Sequence, residues 1–226
     1  MNQLSPSALT VFIDCPRCFW LEKVKKIKRP RGIFPSLPGG IDRVLKVYYD
    51  RFRTKKALPP EIENQIKGKL FADQTKLDQW RNWRTGLKIY IPEADAMLIG
   101  AVDDLIINNE GEYVVFDFKS KGSEPKDDGS QYYQNQLNCY ALMLQENGMP
   151  ISGYGYLAYY YPLAKSKTDS FEFGVMVFKL QVFPEDAKKL VVNAAKCLAG
   201  DIPVPAPNCE YCSFADARNV FLTSKR

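Results

Sequence analysis

Two aspartates and a lysine stand close together in the run Gly100-Ala-Val-Asp-Asp-Leu-Ile-Ile-Asn-Asn-Glu-Gly-Glu-Tyr-Val-Val-Phe-Asp-Phe-Lys119. Asn108-Asn109-Glu110-Gly111 reads as a tight turn between two strands rich in Ile and Val. A turn centred on Glu110 sets Asp103 opposite Asp117. Cβ atoms so paired lie about 4.5–5.5 Å apart, where like charges repel. Lys119, two residues beyond Asp117, points to the same face. The rest of that face, Leu105, Ile107, Tyr113 and Val115, is apolar. A divalent cation is the simplest agent that holds two buried carboxylates together. A lysine beside it can orient a water or stabilise charge on a phosphoryl oxygen. The alternative is an Asp–Lys–Asp salt-bridge network, and a register slip of one residue would undo either arrangement.

Sulfur offers a second chemistry. Cys15-Pro-Arg-Cys18 and Cys209-Glu-Tyr-Cys212 are CxxC pairs near opposite ends of the chain, and together they read as a four-thiolate metal site joining the termini. Thiolates suit zinc and iron–sulfur clusters equally well. Cys139 and Cys197 fall inside predicted helices and read as small buried hydrophobes. The chain contains no histidine. That excludes Ser–His–Asp hydrolysis, Cys–His proteolysis, histidine-built zinc sites and nucleases with a histidine base.

The elements that must position these residues follow from periodicity. Ser5 or Ser7 caps a helix from Ala8 to about Lys26, and a Gly/Pro-broken loop runs from Arg29 to Gly40. Helices are expected over 41–56 and from Glu61 to about Trp83, on either side of Pro59-Pro60. Strands follow at 87–91, 97–108 and 112–119, then a helix over 131–146 closed by Asn147-Gly148. Two more strands, 153–161 and 171–182, precede a helix opened by Pro184-Glu-Asp and ending near Gly200. The tail, 201–226, is proline-punctuated and carries the second CxxC. This order predicts one α/β domain over 1–226, a central mixed β-sheet covered by helices on both faces. Its terminal segments are 1–30 and 201–226, its helical region 31–86 and its α/β core 87–200.

Gly100-Ala-Val-Asp103, Asp117-Phe-Lys119 and Gln136-Leu-Asn-Cys-Tyr140 occur in that order on a predicted strand, strand and helix. The chain thereby resembles the RecB-type branch of the PD-(D/E)XK nucleases, with its GxxD, DxK and QxxxY patterns; CRISPR-associated adaptation nucleases and AddB recombination subunits belong to that branch. The resemblance implies a restriction-endonuclease-like core and metal-dependent hydrolysis of DNA phosphodiesters, on single strands or free ends, in company with recombination or CRISPR adaptation proteins. It implies Asp103 and Asp117 as Mg²⁺ or Mn²⁺ ligands, the Phe118 carbonyl as a further one, and Lys119 as the group that activates water. Gln136 and Tyr140 would brace the site and touch the DNA backbone. Many relatives carry a histidine or glutamate on the early helix as another ligand; the matching position here is Asp42, which also reads as an ordinary acid at a helix start. Relatives with a [4Fe-4S] cluster offer one early cysteine and three late ones, and Arg218 stands where the last is expected. Cys18 supplies the missing thiolate in that reading, with zinc as the alternative. A catalytically silent nucleic-acid-binding subunit is the competing functional class.

The charge distribution reads either as the footprint of an anionic partner or as a solvated basic face with none. Residues 1–60 hold thirteen Lys/Arg against four Asp/Glu, whereas the whole chain carries only +5. Arg17, Lys23, Lys25, Lys26, Lys28, Arg29 and Arg31 are the candidate phosphate contacts; Trp80 and Trp83 with Arg81 and Arg84 read first as core and rim at helical spacing, and alternatively as base-stacking groups. No stretch reaches the roughly 18 apolar residues of a membrane span, and the first residues lack a signal layout, so a cytoplasmic protein is expected.

Overall fold

The structure, a computed structural model, describes residues 1–30, 32, 36–126, 131–163 and 170–224; Arg31, one of the candidate phosphate contacts, lies outside them. Pro16 cannot follow a helical residue without a clash, so the expected first helix divides. Ser5 accepts a hydrogen bond from the Ala8 N–H and caps α1 (Pro6–Asp14), Cys15 is extended, and α2 (Pro16–Val24) starts afresh. Helix α3 (Ser36–Thr54) begins five residues earlier than Ile41, because Pro38 sits in the first turn, where its missing N–H costs nothing. The helix expected from Glu61 is replaced by turns, a short strand β2 (Lys69–Leu70) and α4 (Gln74–Arg81), capped by Asp73. Gly68 enforces that break: its φ is +129°, and a Cβ there would lie 2.5 Å from the Ile107 carbonyl oxygen.

The strand expected over 97–108 is two strands in different sheets. Strand β3 (Leu87–Ile91) and β4 (Ala96–Gly100) belong to a three-stranded sheet in which β1 (Asn2–Leu4) pairs in parallel with β4. Strand β5 (Asp104–Ile107) starts after a bend and joins a five-stranded mixed sheet with β6 (Tyr113–Ser120), β7 (Tyr154–Pro162) and β8 (Phe173–Gln181), in the order β2-β5-β6-β7-β8. Only β6 and β7 run parallel in it. Helix α5 (Gln134–Glu146) connects them, and α6 (Pro184–Ala199) and α7 (Glu210–Thr223) follow. The last was not expected in the tail.

The chain divides into two compact units, one of 1–34, 90–98 and 188–226, the other of 35–89 and 99–187. The second contains the five-stranded sheet. Ile106, Val114, Phe116, Phe118, Tyr156, Ala158 and Tyr160 bury one face of it against Leu45 and Tyr49 of α3. The alternate residues, among them Asp117, Lys119 and Tyr159, look the other way, where Tyr133 at the start of α5 packs on Tyr159 and under the Lys119 ammonium. Among the described residues no helix is long and apolar enough to cross a membrane.

Candidate active site and metal centre

The hairpin forms in the expected register: Asp104 pairs with Phe116, Leu105 with Val115 and Ile107 with Tyr113. Just before β5 begins, one residue beyond the ladder, Asp103 lies close enough to Asp117 for their charges to interact. Asp117 is 1% exposed, and neither carboxylate oxygen accepts a hydrogen bond. The Lys119 ammonium lies 2.6 Å from its Oδ2, an ion pair without hydrogen-bond alignment. Burial, then the neighbouring Asp103 charge, push the Asp117 carboxyl up to about 8. Burial acts to lower the Lys119 value, but the two carboxylates outweigh it and hold the amine charged. A buried acid whose oxygens accept no hydrogen bond, ion-paired to a lysine beside a second acid, is a donor set for a hard divalent cation.

Asp42 joins this group through a residue that the sequence reading did not single out. The Lys46 ammonium bridges Asp42 Oδ2 at 2.9 Å and Asp103 Oδ1 at 3.0 Å. Their i, i+4 spacing on one helix was the available signal. Because α3 starts at Ser36, Asp42 stands well inside the helix, and its reading as a helix-start acid is overturned. The cluster is not sealed: the side chains of Asp42, Lys46, Lys119 and Asp103 are 37%, 25%, 20% and 15% exposed. Phe118 sends its ring to the opposite face, stacked on Tyr49 at 5.1 Å, so only its backbone is left to contribute.

The QxxxY helix is tied to the GxxD bend. Tyr140 donates its hydroxyl to the Ala101 carbonyl at 2.7 Å and accepts from Gln136 Nε2 at 3.0 Å. Gly100 is what admits the ring: a Cβ there would lie 2.8 Å from Tyr140 Cε1 and 2.5 Å from Met143 Cε. At 5% exposure, with its hydroxyl engaged, Tyr140 braces the bend.

The acid next door, Asp104, points the other way and is fully buried. Its Oδ2 pairs with Arg53 at 2.6 Å and Arg81 at 3.0 Å. Arg81 also grips Asp50 at 2.8 Å and donates through Nε to the Asp103 carbonyl oxygen at 2.6 Å. Residues 80 and 81 are thus core and rim, not base-stacking groups: Trp80 is buried and Arg81 is committed to carboxylates. Trp83 and Arg84 are open, Trp83 72% exposed with the Arg84 guanidinium over its ring.

In the other unit the two CxxC pairs form the same device twice. Cys15 and Cys209 are the N-cap residues of α2 and α7, and Cys18 and Cys212 lie one turn in, so both pairs sit on free helix N-termini. The four Sγ atoms lie within 4.8 Å of one another, all buried. Burial raises the Cys15 thiol, but the backbone N–H groups of Ala206 and Cys18 prevail and lower it to about 6. Burial and the sulfurs around it raise Cys212. Several expected phosphate contacts serve this unit internally. Arg17 donates to the Pro203 carbonyl and pairs with Asp216 at 3.4 Å. Arg29 pairs with Asp14 at 3.2 Å and stacks on Tyr211. Lys23 is half-buried against the Gln3 carbonyl. Lys25, over Trp20, Lys26 and Lys28 remain exposed.

A family profile described as the PD-(D/E)XK nuclease superfamily matches residues 41–217. The chain belongs to that superfamily. Nuclease activity on nucleic acid is therefore the coarse function, and the matched span holds Asp42, Asp103, Asp117, Lys119, Gln136 and Tyr140. No curated protein matches the chain. Among solved structures, one titled "Crystal structure of SSO0001" aligns at 15% identity with a TM-score of 0.44, covering 95% of this chain and 84% of that one.

Proposed function

We propose that the protein is a metal-dependent deoxyribonuclease of the RecB-like branch that hydrolyses phosphodiester bonds in single strands or at free ends, in recombination, repair or CRISPR adaptation. The observation that carries the reading is Asp117, buried beside Asp103 with both oxygens free of hydrogen bonds and an ammonium at hand. Mg²⁺ or Mn²⁺, when bound, supplies charge neutralisation and polarisation at the phosphate. Asp103, Asp117 and Asp42 are the side chains that would hold it, with the Phe118 carbonyl as a further ligand.

Lys119 is held as an ammonium by two carboxylates, so it orients water and stabilises phosphoryl oxygen by donating, and does not itself take the proton. Gln136 and Tyr140 keep the bend before Asp103 fixed. Arg81 fixes the same residue from its carbonyl. The order of the three motifs supports the branch, and the absence of histidine leaves carboxylate–metal chemistry as the route.

The test is cleavage of labelled single-stranded DNA with Mn²⁺. Product that EDTA abolishes and that Lys119→Ala and Asp117→Asn lower by at least 100-fold is expected, a loss typical for a group that acts on developing charge. Absence of metal-dependent product from clean, folded protein would move the reading to the silent binding subunit.

A further inference from the structure

The resemblance carried a [4Fe-4S] cluster to the four cysteines, and the sulfur positions can be compared with it. Cys15 Sγ lies 3.8 Å from Cys212 Sγ, Cys18 Sγ lies 3.5 Å from Cys209 Sγ, and Cys18 Sγ lies 3.7 Å from Cys212 Sγ. A single tetrahedral ion with metal–sulfur bonds of about 2.3 Å sets its four sulfurs about 3.8 Å apart. In a cubane each thiolate sits on its own iron, outside a core of four irons and four sulfides, and the same geometry spreads the sulfurs to about 6 Å. The set of four, all within 4.8 Å, has no room for that core.

The surroundings suit one divalent ion as well. Each CxxC places one cysteine at a helix N-cap and the next a turn later, an arrangement that is the same on α2 and α7 and differs from one early and three late ligands. Four thiolates around a divalent ion carry a net charge of −2. Ala206 N–H donates to Cys15 Sγ at 3.4 Å, and Arg29, fixed by Asp14 and Tyr211, lies against Cys18. A backbone donor and a cation thus stand in the outer shell that a negatively charged thiolate site needs.

We infer that Cys15, Cys18, Cys209 and Cys212 hold one tetrahedral zinc ion, and no iron–sulfur cluster, as the clasp between α2 and α7. The inference does not rest on the nuclease reading, which lives on other residues. Full-length protein purified anaerobically is expected to be colourless, with one equivalent of zinc per chain by elemental analysis and no acid-labile sulfide. Cys212→Ser is expected to lower zinc content at least ten-fold. Since that variant can lose its fold, the wild-type chain exchanged with Co²⁺ gives a second readout: the visible bands of tetrahedral thiolate-bound cobalt, one equivalent at saturation. Stoichiometric iron with labile sulfide, a brown chain after anaerobic reconstitution with iron and sulfide, or a folded wild-type chain with neither metal would each overturn it.

Discussion

Lys46 occupies the ground between Asp42 and Asp103 that a cation would share. A partly exposed ammonium contact of this kind is worth about 1 kcal/mol, or roughly five-fold in a binding constant. Lys46→Met therefore makes Mn²⁺ bind about five-fold more tightly by calorimetry, and an unchanged or weaker constant would show that Lys46 is no competitor. Asp117 gives a second prediction at this scale. Its carboxyl is raised to about 8 when folded, against an ordinary value near 4. The folded chain thus holds a proton that the unfolded chain releases, so the contribution to stability is fully present below pH ~4 and is lost as pH rises through about 8. The melting temperature of the metal-free protein should fall between pH 5 and 8. Asp117→Asn should flatten that fall, and saturating Mn²⁺ should remove it.

Three elements meet at Asp104, and the pair Arg53–Arg81 makes it the joint between α3, α4 and β5. Removing the acid leaves two buried guanidinium groups with only the partly exposed Asp50 to share, so Asp104→Ala should cost about 3 kcal/mol in denaturant unfolding. Asp104→Asn, which keeps the shape, should cost less. A cost under 1 kcal/mol for the alanine variant would mean that Asp50 and water already satisfy both arginines. This joint also marks how far the elements were legible. The hairpin register could be read because a local turn and strict alternation fix it. The QxxxY helix could be read because its spacing is local too. The bend at Ala101–Asp103, which divides one expected strand between two sheets, could not: it depends on Gly100 admitting a tyrosine from 40 residues away. Pro16 and Gly68 did carry their breaks in the sequence, but apolar periodicity on either side concealed them. Helix α7 lacked a legible stripe, since Phe214, Val220, Phe221 and Leu222 are all exposed, and its start is set by Cys209.

Over the whole molecule the charge of +5 overstates what is available to a phosphate backbone. Of the cations in the first sixty residues, Arg17, Arg29, Lys46 and Arg53 already face carboxylates. Of the candidate phosphate contacts Lys25, Lys26 and Lys28 are exposed, and they are expected to displace counterions. Each phosphate neutralised on a single strand adds about 0.7 to the slope of log K against log salt. Substituting all three should lower the slope magnitude by about 2, measured by anisotropy on labelled oligothymidine in EDTA. Asparagine suits position 26, where φ is 62°, and glutamine the other two. Arg29→Gln should act differently, lowering the melting temperature while leaving the slope within about 0.3 of the wild type, because its charge is spent inside the terminal unit. If the triple variant keeps the wild-type slope while Arg29→Gln loses it, the internal and external roles assigned to these cations are reversed, and the phosphate path runs past the thiolate clasp instead of along the end of α2.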